Sequence, residues 1–198
     1  MFLWGGISGI LSVFLYRNEC GLSSEAMELD LKQYIRSIPD FPKPGILFRD
    51  ITPLLADPGA FSQAISDMAG PYMDKGITYV AAVEARGFIF GSAIAHELGA
   101  GFIPLRKKGK LPSQTVRVAY GLEYGHDAIE VHMDAIRPGD KVLLVDDLLA
   151  TGGTIAAACE LMKKLGAEIC GLSFLVELAD IHGRERIKEY PFHVVLVY

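Results

Sequence analysis

The sequence predicts an α/β fold with a mostly parallel central sheet flanked by helices. Three observations carry this reading. From about residue 57 onward, short β-rich runs alternate with helical patterns, as in βαβ units. The run Lys141–Val145 is apolar almost without interruption, which suits a strand covered on both faces. Finally, that run is followed by two carboxylates, a small-residue loop and a helical pattern, the order of a strand delivering its chain to a helix N-terminus.

Taken in order, Ser23 or Ser24 offers a cap for a helix running to about Ser37, with Leu31, Tyr34, Ile35 and Ile38 on one face. Pro39, Pro42 and Pro44 should stop it and impose an extended crossing through PDFPKPG. Asp57 caps a second helix that has Pro58 at its first position, Phe61, Ile65 and Met68 inward, and a stop near Gly76. Thr78–Glu84 reads as a strand, Gly91–Leu98 as a helix, Gly101–Leu105 and Ala128–Met133 as strands. The helix Ile155–Leu165 turns Ile155, Ala158, Cys159 and Met162 inward and ends on Lys163, Lys164 and Gly166, a favourable C-terminus. Ile169–Leu175 and His193–Tyr198 close the set as strands. Arg106–Tyr124 shows no clear periodicity and reads as a long loop of the kind that covers active sites.

The chain has 198 residues, 51% hydrophobic and 22% charged, enough for one domain with a sizeable core. Its net charge of -5 argues against a nucleic-acid partner. The three cysteines, Cys20, Cys159 and Cys170, form no CxxC pair and no zinc spacing with histidine. They point to a reducing, intracellular compartment and to core roles for Cys159 and Cys170. Met1–Tyr16 carries no charge and lacks the basic start and small-residue exit of a secretory signal. It is also short for a membrane span, which takes about 20 apolar residues. Residues 1–26 are therefore set apart as an atypical apolar extension, with 27–198 as a single domain that Met27 opens.

The chemistry concentrates in Val142–Thr154, VLLVDDLLATGGT. Asp146 and Asp147 lie where a parallel sheet presents its ligands, at the carboxyl ends of its strands. Ala150, Thr151, Gly152, Gly153 and Thr154 then offer backbone N–H groups and two hydroxyls at a helix start, a cradle for a phosphate. The loop is neither a Walker A nor a dinucleotide fingerprint.

This unit closely resembles the phosphoribosyl pyrophosphate signature of the type I phosphoribosyltransferases. The resemblance implies their fold, with a mobile lid loop and a small base-binding hood. It assigns Asp146 and Asp147 to the ribose hydroxyls and Ala150–Thr154 to the 5′-phosphate. Further segments are similar to the adenine-specific members of the family, so that the likeness spans about Leu31 to Val197. In PDFPKPGILFRDITPLL the matching residues hold the base: Phe48 stacks on it, Leu47 and Arg49 offer backbone groups, and Leu178 in VELAD covers it. In VEARGFIFG, Arg86 meets the pyrophosphate and assists catalysis, and the Glu84–Ala85 peptide matches one often found cis. In RKKGKLP, Arg106 and Lys110 are pyrophosphate contacts, although Ser113 departs from the usual glycine after the proline. In YGLEYG, Glu123 assists proton movement at the base and Tyr124 helps close the lid.

The activity so implied is transfer of a 5-phosphoribosyl group to adenine, giving AMP and pyrophosphate, in a cytoplasmic homodimer. Mg²⁺ arrives on the donor rather than in a protein cage. Two other readings stay open at this point. One is the same chemistry on hypoxanthine or guanine, xanthine or orotate. The other is a non-catalytic regulator that senses the donor. Membrane attachment through residues 1–16 would add to the enzyme reading rather than replace it.

Overall fold

The computed structural model describes residues 28–122 and 125–198. The elements run in the order β1 (Arg36–Pro39), β2 (Leu47–Asp50), α1 (Thr52–Ala56), α2 (Pro58–Ala69), β3 (Tyr79–Val83), α3 (Gly87–Glu97), β4 (Gly101–Lys107), β5 (Thr115–Leu122), β6 (Gly125–His132), β7 (Lys141–Leu149), α4 (Gly153–Lys164), β8 (Glu168–Glu177) and β9 (Phe192–Val197). Short 3-10 turns fill several connections.

One seven-stranded sheet, ordered β5-β6-β4-β3-β7-β8-β9, forms the centre. Its β4-β3-β7-β8-β9 block is parallel throughout. The β5–β6 hairpin joins the β4 edge antiparallel, through only Arg106↔Glu130 and Lys107↔Ile129. The strand period of two divides the core between the two faces. Val80, Ala82, Leu143 and Val145 turn to one face, under α2 and α3. Ala81, Val83, Val142 and Leu144 turn to the other, under α4 and the hairpin residues Val118, Ile129 and Val131. The central strands are thus buried on both sides, as the unbroken apolar run predicted.

The cap at α2 forms as expected, with the Asp57 carboxylate accepting from Ala60 N–H at 2.9 Å. The inner face of that helix belongs to Ala60, Ala64 and Met68, with Phe61 and Ile65 only partly buried. The α4 helix buries Ile155, Ala158, Cys159 and Met162 as expected.

Three expectations change. The helix to Ser37 is absent from the described part, which has a 3-10 turn at Leu31–Tyr34 capped by Asp30, then strand β1. Leu31, in the turn, and Ile35, on the extended residue that follows it, are still buried. The proline segment is not an extended crossing. It reverses the chain between β1 and β2, with a cis Phe41–Pro42 bond and Asp40 in the left-handed region. Most of Arg106–Tyr124 is not loop either: β5 occupies Thr115–Leu122. Its alternation of Val116, Val118 and Tyr120 toward the core against Arg117 and Ala119 toward solvent is that of a half-buried strand. The apolar segment Met1–Tyr16, Met27, the Ser23 and Ser24 caps, Glu123 and Tyr124 lie outside the described residues. Among the described residues, no helix is long and apolar enough to cross a membrane.

Candidate active site

A cleft of about 320 Å³ opens where β3 ends and β7 runs past it. Glu84, Arg86, Asp146, Asp147, Ala150, Thr151, Gly152 and Thr154 all line it. The two aspartates lie within β7, not beyond its end, because β7 keeps pairing with β8 as far as Leu149↔Glu177. They nonetheless sit just past the last β3 partner, Ala82↔Val145, so they meet the cleft at the strand ends of the neighbouring half-sheet.

The pair is tightly packed. Asp147 N–H donates to Asp146 Oδ1 at 3.0 Å, and Arg86 Nε meets Asp147 Oδ2 at 2.8 Å. At Gly87, the first residue of α3, an added Cβ would lie 2.8 Å from Asp146 Oδ1, so the helix start reaches the carboxylate only without a side chain. Burial pushes the Asp146 carboxyl well above the ordinary range, and the Asp147 charge pushes it further. Burial raises Asp147 as well, opposed by Arg86. Two carboxylates held so close in a sheltered place need a partner of opposite polarity, such as sugar hydroxyls or a cation.

The loop after β7 turns sharply into α4. Gly152 is the N-terminal cap, with φ +73°, and Gly153 N–H points at Thr151 Oγ1 at 3.5 Å. The first N–H groups of α4 have no partner within the helix, and its dipole favours an anion there. Gly153 belongs to the same turn, although its backbone does not line the cleft wall.

The basic segment meets this cleft through Glu84. The Glu84–Ala85 peptide is cis. Glu84 accepts from Arg106 Nε at 3.2 Å, Arg106 Nη2 at 3.3 Å, Lys110 Nζ at 3.1 Å and Lys107 N–H at 3.1 Å. These hydrogen bonds, Arg106 first, lower its carboxyl to about 2. Arg106 and Lys110 are therefore both held by Glu84, a residue of the cleft wall, although neither lines the cleft itself. The segment itself is pinned from behind by Glu130, only 1% exposed, which accepts from Gly109 N–H at 2.8 Å and Arg117 Nη2 at 3.1 Å.

The β1–β2 hairpin stands apart from the main sheet. Phe48 meets Phe41 edge-on with centroids 5.1 Å apart, and the Arg86 guanidinium lies 5.6 Å from the Phe48 ring centre. Phe48 thus connects through Arg86 to Asp147. Leu47 is 46% exposed beside it. The Arg49 side chain turns elsewhere, stacking 3.9 Å from the Tyr198 ring and donating to Ser37 Oγ at 2.5 Å. Leu178 donates its N–H to Leu149 O at 2.9 Å and packs into the core on the α2–α3 face.

Sequence reasoning missed three residues. Lys107 and Tyr120 both line the cleft, and both approach Asp127 Oδ2 at 3.5 Å. The alternation of β5 would have found Tyr120. Lys107 was masked by its equally basic neighbours. Gly183, in a charged stretch remote in sequence, backs the turn into α4: a Cβ on Gly152 would lie 2.4 Å from Gly183 O. A single glycine after His182 gave no sign of this.

Comparison with known proteins follows the same outline. A model of the phosphoribosyl transferase domain matches residues 55–197. An adenine phosphoribosyltransferase from Methylobacterium radiotolerans is 60% identical over 164 residues, covering 83% of this chain and 91% of its own. One from Nitrosococcus oceani is 54% identical, covering 85% of this chain and 98% of its own. Among solved structures, the adenine phosphoribosyltransferase of Rhodothermus marinus aligns with a TM-score of 0.81 at 51% identity, covering 85% of this chain and 96% of that one. The Saccharomyces cerevisiae enzyme, complexed with an imino-altritol bisphosphate and adenine, aligns with a TM-score of 0.80 at 39% identity, covering 84% and 96%.

Proposed function

The chain belongs to the adenine phosphoribosyltransferases of the phosphoribosyl transferase family, and from that premise we propose how its residues divide the work. The enzyme transfers the 5-phosphoribosyl group of phosphoribosyl pyrophosphate to adenine, giving AMP and pyrophosphate. One observation supports the assignment of roles: a single cleft is lined by an aspartate pair, a helix-start loop, Arg86 and Glu84, and Glu84 in turn holds Arg106 and Lys110.

In this reading the 5′-phosphate takes the N–H groups and hydroxyls of Ala150–Thr154. Asp146 and Asp147 accept from the ribose 2′- and 3′-hydroxyls. Charge-assisted hydrogen bonds of this kind contribute about 1.5–3 kcal/mol each. Arg86, Arg106 and Lys110 hold the pyrophosphate. The base lies against Phe48, with Leu47 and Arg49 backbone groups at its edge and Leu178 covering it, beneath a hood made of β1 and β2.

The reaction is a dissociative substitution at the anomeric carbon. The bond to the pyrophosphate oxygen breaks, and an adenine nitrogen attacks from the opposite face and loses its proton. Glu123 assists that proton, and Tyr124 helps the lid exclude water. Arg86 stabilises the charge that develops on the departing pyrophosphate.

Magnesium fits this site on its chemistry. Asp146 and Asp147 present hard oxygens in the cleft, and among the described residues no three His, Cys, Asp or Glu side chains converge as a cage. The ion would be held largely by the donor's own oxygens, with those aspartates as the nearest protein ligands, and would screen the pyrophosphate charge. The working protein is read as a cytoplasmic homodimer in which 27–198 is the transferase domain and 1–26 an extension outside it.

The test is a turnover assay with phosphoribosyl pyrophosphate and Mg²⁺, offering adenine, hypoxanthine, guanine, xanthine and orotate in parallel. AMP from adenine alone is the expected result. Another preferred base would overturn the pocket around Phe48, and no product from any base would overturn the catalytic reading. Glu123→Ala should slow turnover and leave donor binding nearly intact, and a wild-type rate would remove Glu123 from the mechanism.

A further inference from the structure

The segment after β8 presses directly on the phosphate loop. It leaves β8 at Glu177 and turns through Ala179–Ile181 and Gly183–Arg186, two 3-10 turns joined by His182 at φ +58°. The turn brings the Gly183 backbone against the loop from behind. A Cβ on Gly183 would lie 2.0 Å from Ala150 O and 3.0 Å from Gly152 N, and a Cβ on Gly152 would lie 2.4 Å from Gly183 O. Two glycines from distant parts of the chain therefore meet backbone to backbone, at the residue whose left-handed conformation starts α4.

What holds Gly183 there is an ion pair between a buried carboxylate and an exposed arginine. Glu177 is fully buried. It takes both arms of Arg184, with Nε donating to Oε1 at 2.7 Å and Nη2 donating to Oε2. Arg184 also lies 5.6 Å from the Phe192 ring centre. At its other end, Glu177 is fixed by the sheet, paired in register with Leu149, the residue just before Ala150. The pair thus ties the base of the loop, at Leu149, to the turn that backs it, at Gly183. A planar fork against a buried carboxylate is a rigid connection of defined geometry.

We propose that Glu177 and Arg184 are positioning residues for the 5′-phosphate. Through Gly183 they hold the Ala150–Gly152 backbone so that the N–H groups at the start of α4 converge on the anion. This rests on reading Ala150–Thr154 as the phosphate loop. Neither side chain lines the cleft, so neither is expected to touch the substrate.

The experiment compares the binding of AMP and adenosine by calorimetry, because the two ligands differ only in the 5′-phosphate. Arg184→Lys keeps the charge and loses the fork, and Glu177→Gln keeps the shape and loses the charge. In each, AMP should bind about tenfold more weakly, the scale of one lost charge-assisted hydrogen bond, while adenosine binding and the KM for adenine hold at wild-type values. A general weakening of the fold would lower both ligands together and would overturn the proposal. Thr154→Val, altered within the loop itself, separates this inference from the reading it rests on. If Thr154→Val loses phosphate affinity and the two pair variants do not, the brace is wrong and the loop stands. If none of the three loses it, both are wrong. Should Glu177→Gln fail to fold, Arg184→Lys, altered at the exposed end of the pair, carries the test alone, with the same expected loss confined to AMP.

Discussion

Replacing Asp146 by asparagine should make the enzyme more stable and less active at once. Asp146 is sheltered, accepts from Asp147 N–H at 3.0 Å, and has a second carboxylate as its immediate neighbour. Burial first, and the neighbouring charge second, raise its carboxyl above the ordinary value of 3.8. The sign follows from linkage. A carboxyl whose folded value is raised binds its proton more readily in the folded state, so its contribution is present below 3.8 and is lost as pH rises through the folded value. At neutral pH the carboxyl therefore costs stability that an amide does not. The substituted amide keeps an acceptor for Asp147 N–H and leaves the Asp147–Arg86 contact in place. Thermal unfolding at neutral pH should give a higher midpoint for Asp146→Asn, and about 1 kcal/mol moves a domain of this size by about 2–4 °C. The difference should shrink as the pH is lowered toward 3.8. In turnover assays the same variant loses the charged acceptor proposed for a ribose hydroxyl. Its KM for phosphoribosyl pyrophosphate should rise about tenfold to 150-fold, corresponding to about 1.5–3 kcal/mol. An unchanged midpoint, or a difference that grows on acidification, would refute the burial argument. An unchanged donor KM would refute the ribose assignment.

Other perturbations separate the remaining parts. Phe48→Ala should raise the KM for adenine about two- to tenfold, the range of one aromatic stacking contact of about 0.5–1.5 kcal/mol, with the donor KM unchanged. Glu84→Gln removes the anion that gathers Arg106 and Lys110, so product inhibition by pyrophosphate should tighten several-fold, as read from initial rates. Because its hydrogen bonds hold Glu84 at about 2, its stabilising effect is present above the ordinary 4.5 and is lost only as pH falls through about 2, so that tightening should not vary across the neutral range. Glu130→Gln weakens a nearly fully buried anchor of Gly109 and Arg117 and should cost about 1–3 kcal/mol in denaturant unfolding, with a raised donor KM from the loosened basic segment.

Much of this site was legible because its pieces are local. The strand, aspartate pair and glycine loop of Val142–Thr154 are contiguous, and each has a physical signature of its own: an unbroken apolar run, paired acids, small residues before a helix. What escaped depends on contacts between distant segments. The helix pattern of Leu31, Tyr34 and Ile35 was real as spacing, but pairing of Arg36–Pro39 with Leu47–Asp50 overrode it. The strand Thr115–Leu122 carried its alternation openly, yet it lies between a basic run and a glycine-rich tip, and both pointed to loop. Gly183 could not be read at all, since its significance is the Ala150 carbonyl it faces across the fold. The extension of β7 through the aspartates to Leu149 likewise follows from its β8 partner rather than from its own residues.

The β1–β2 hairpin shares no strand with the seven-stranded sheet, and this has a consequence for how such an enzyme changes over generations. The hairpin carries the surface proposed for the base, while β7 and α4 carry the surface proposed for the sugar phosphate. Substitutions in residues 36–50 can accumulate without passing through the hydrogen-bonded register that fixes Asp146 or Gly152. Inheritance can thus revise the choice of base while the donor half stays as it was, and a lineage drifting toward a new base should record its history in the hairpin first.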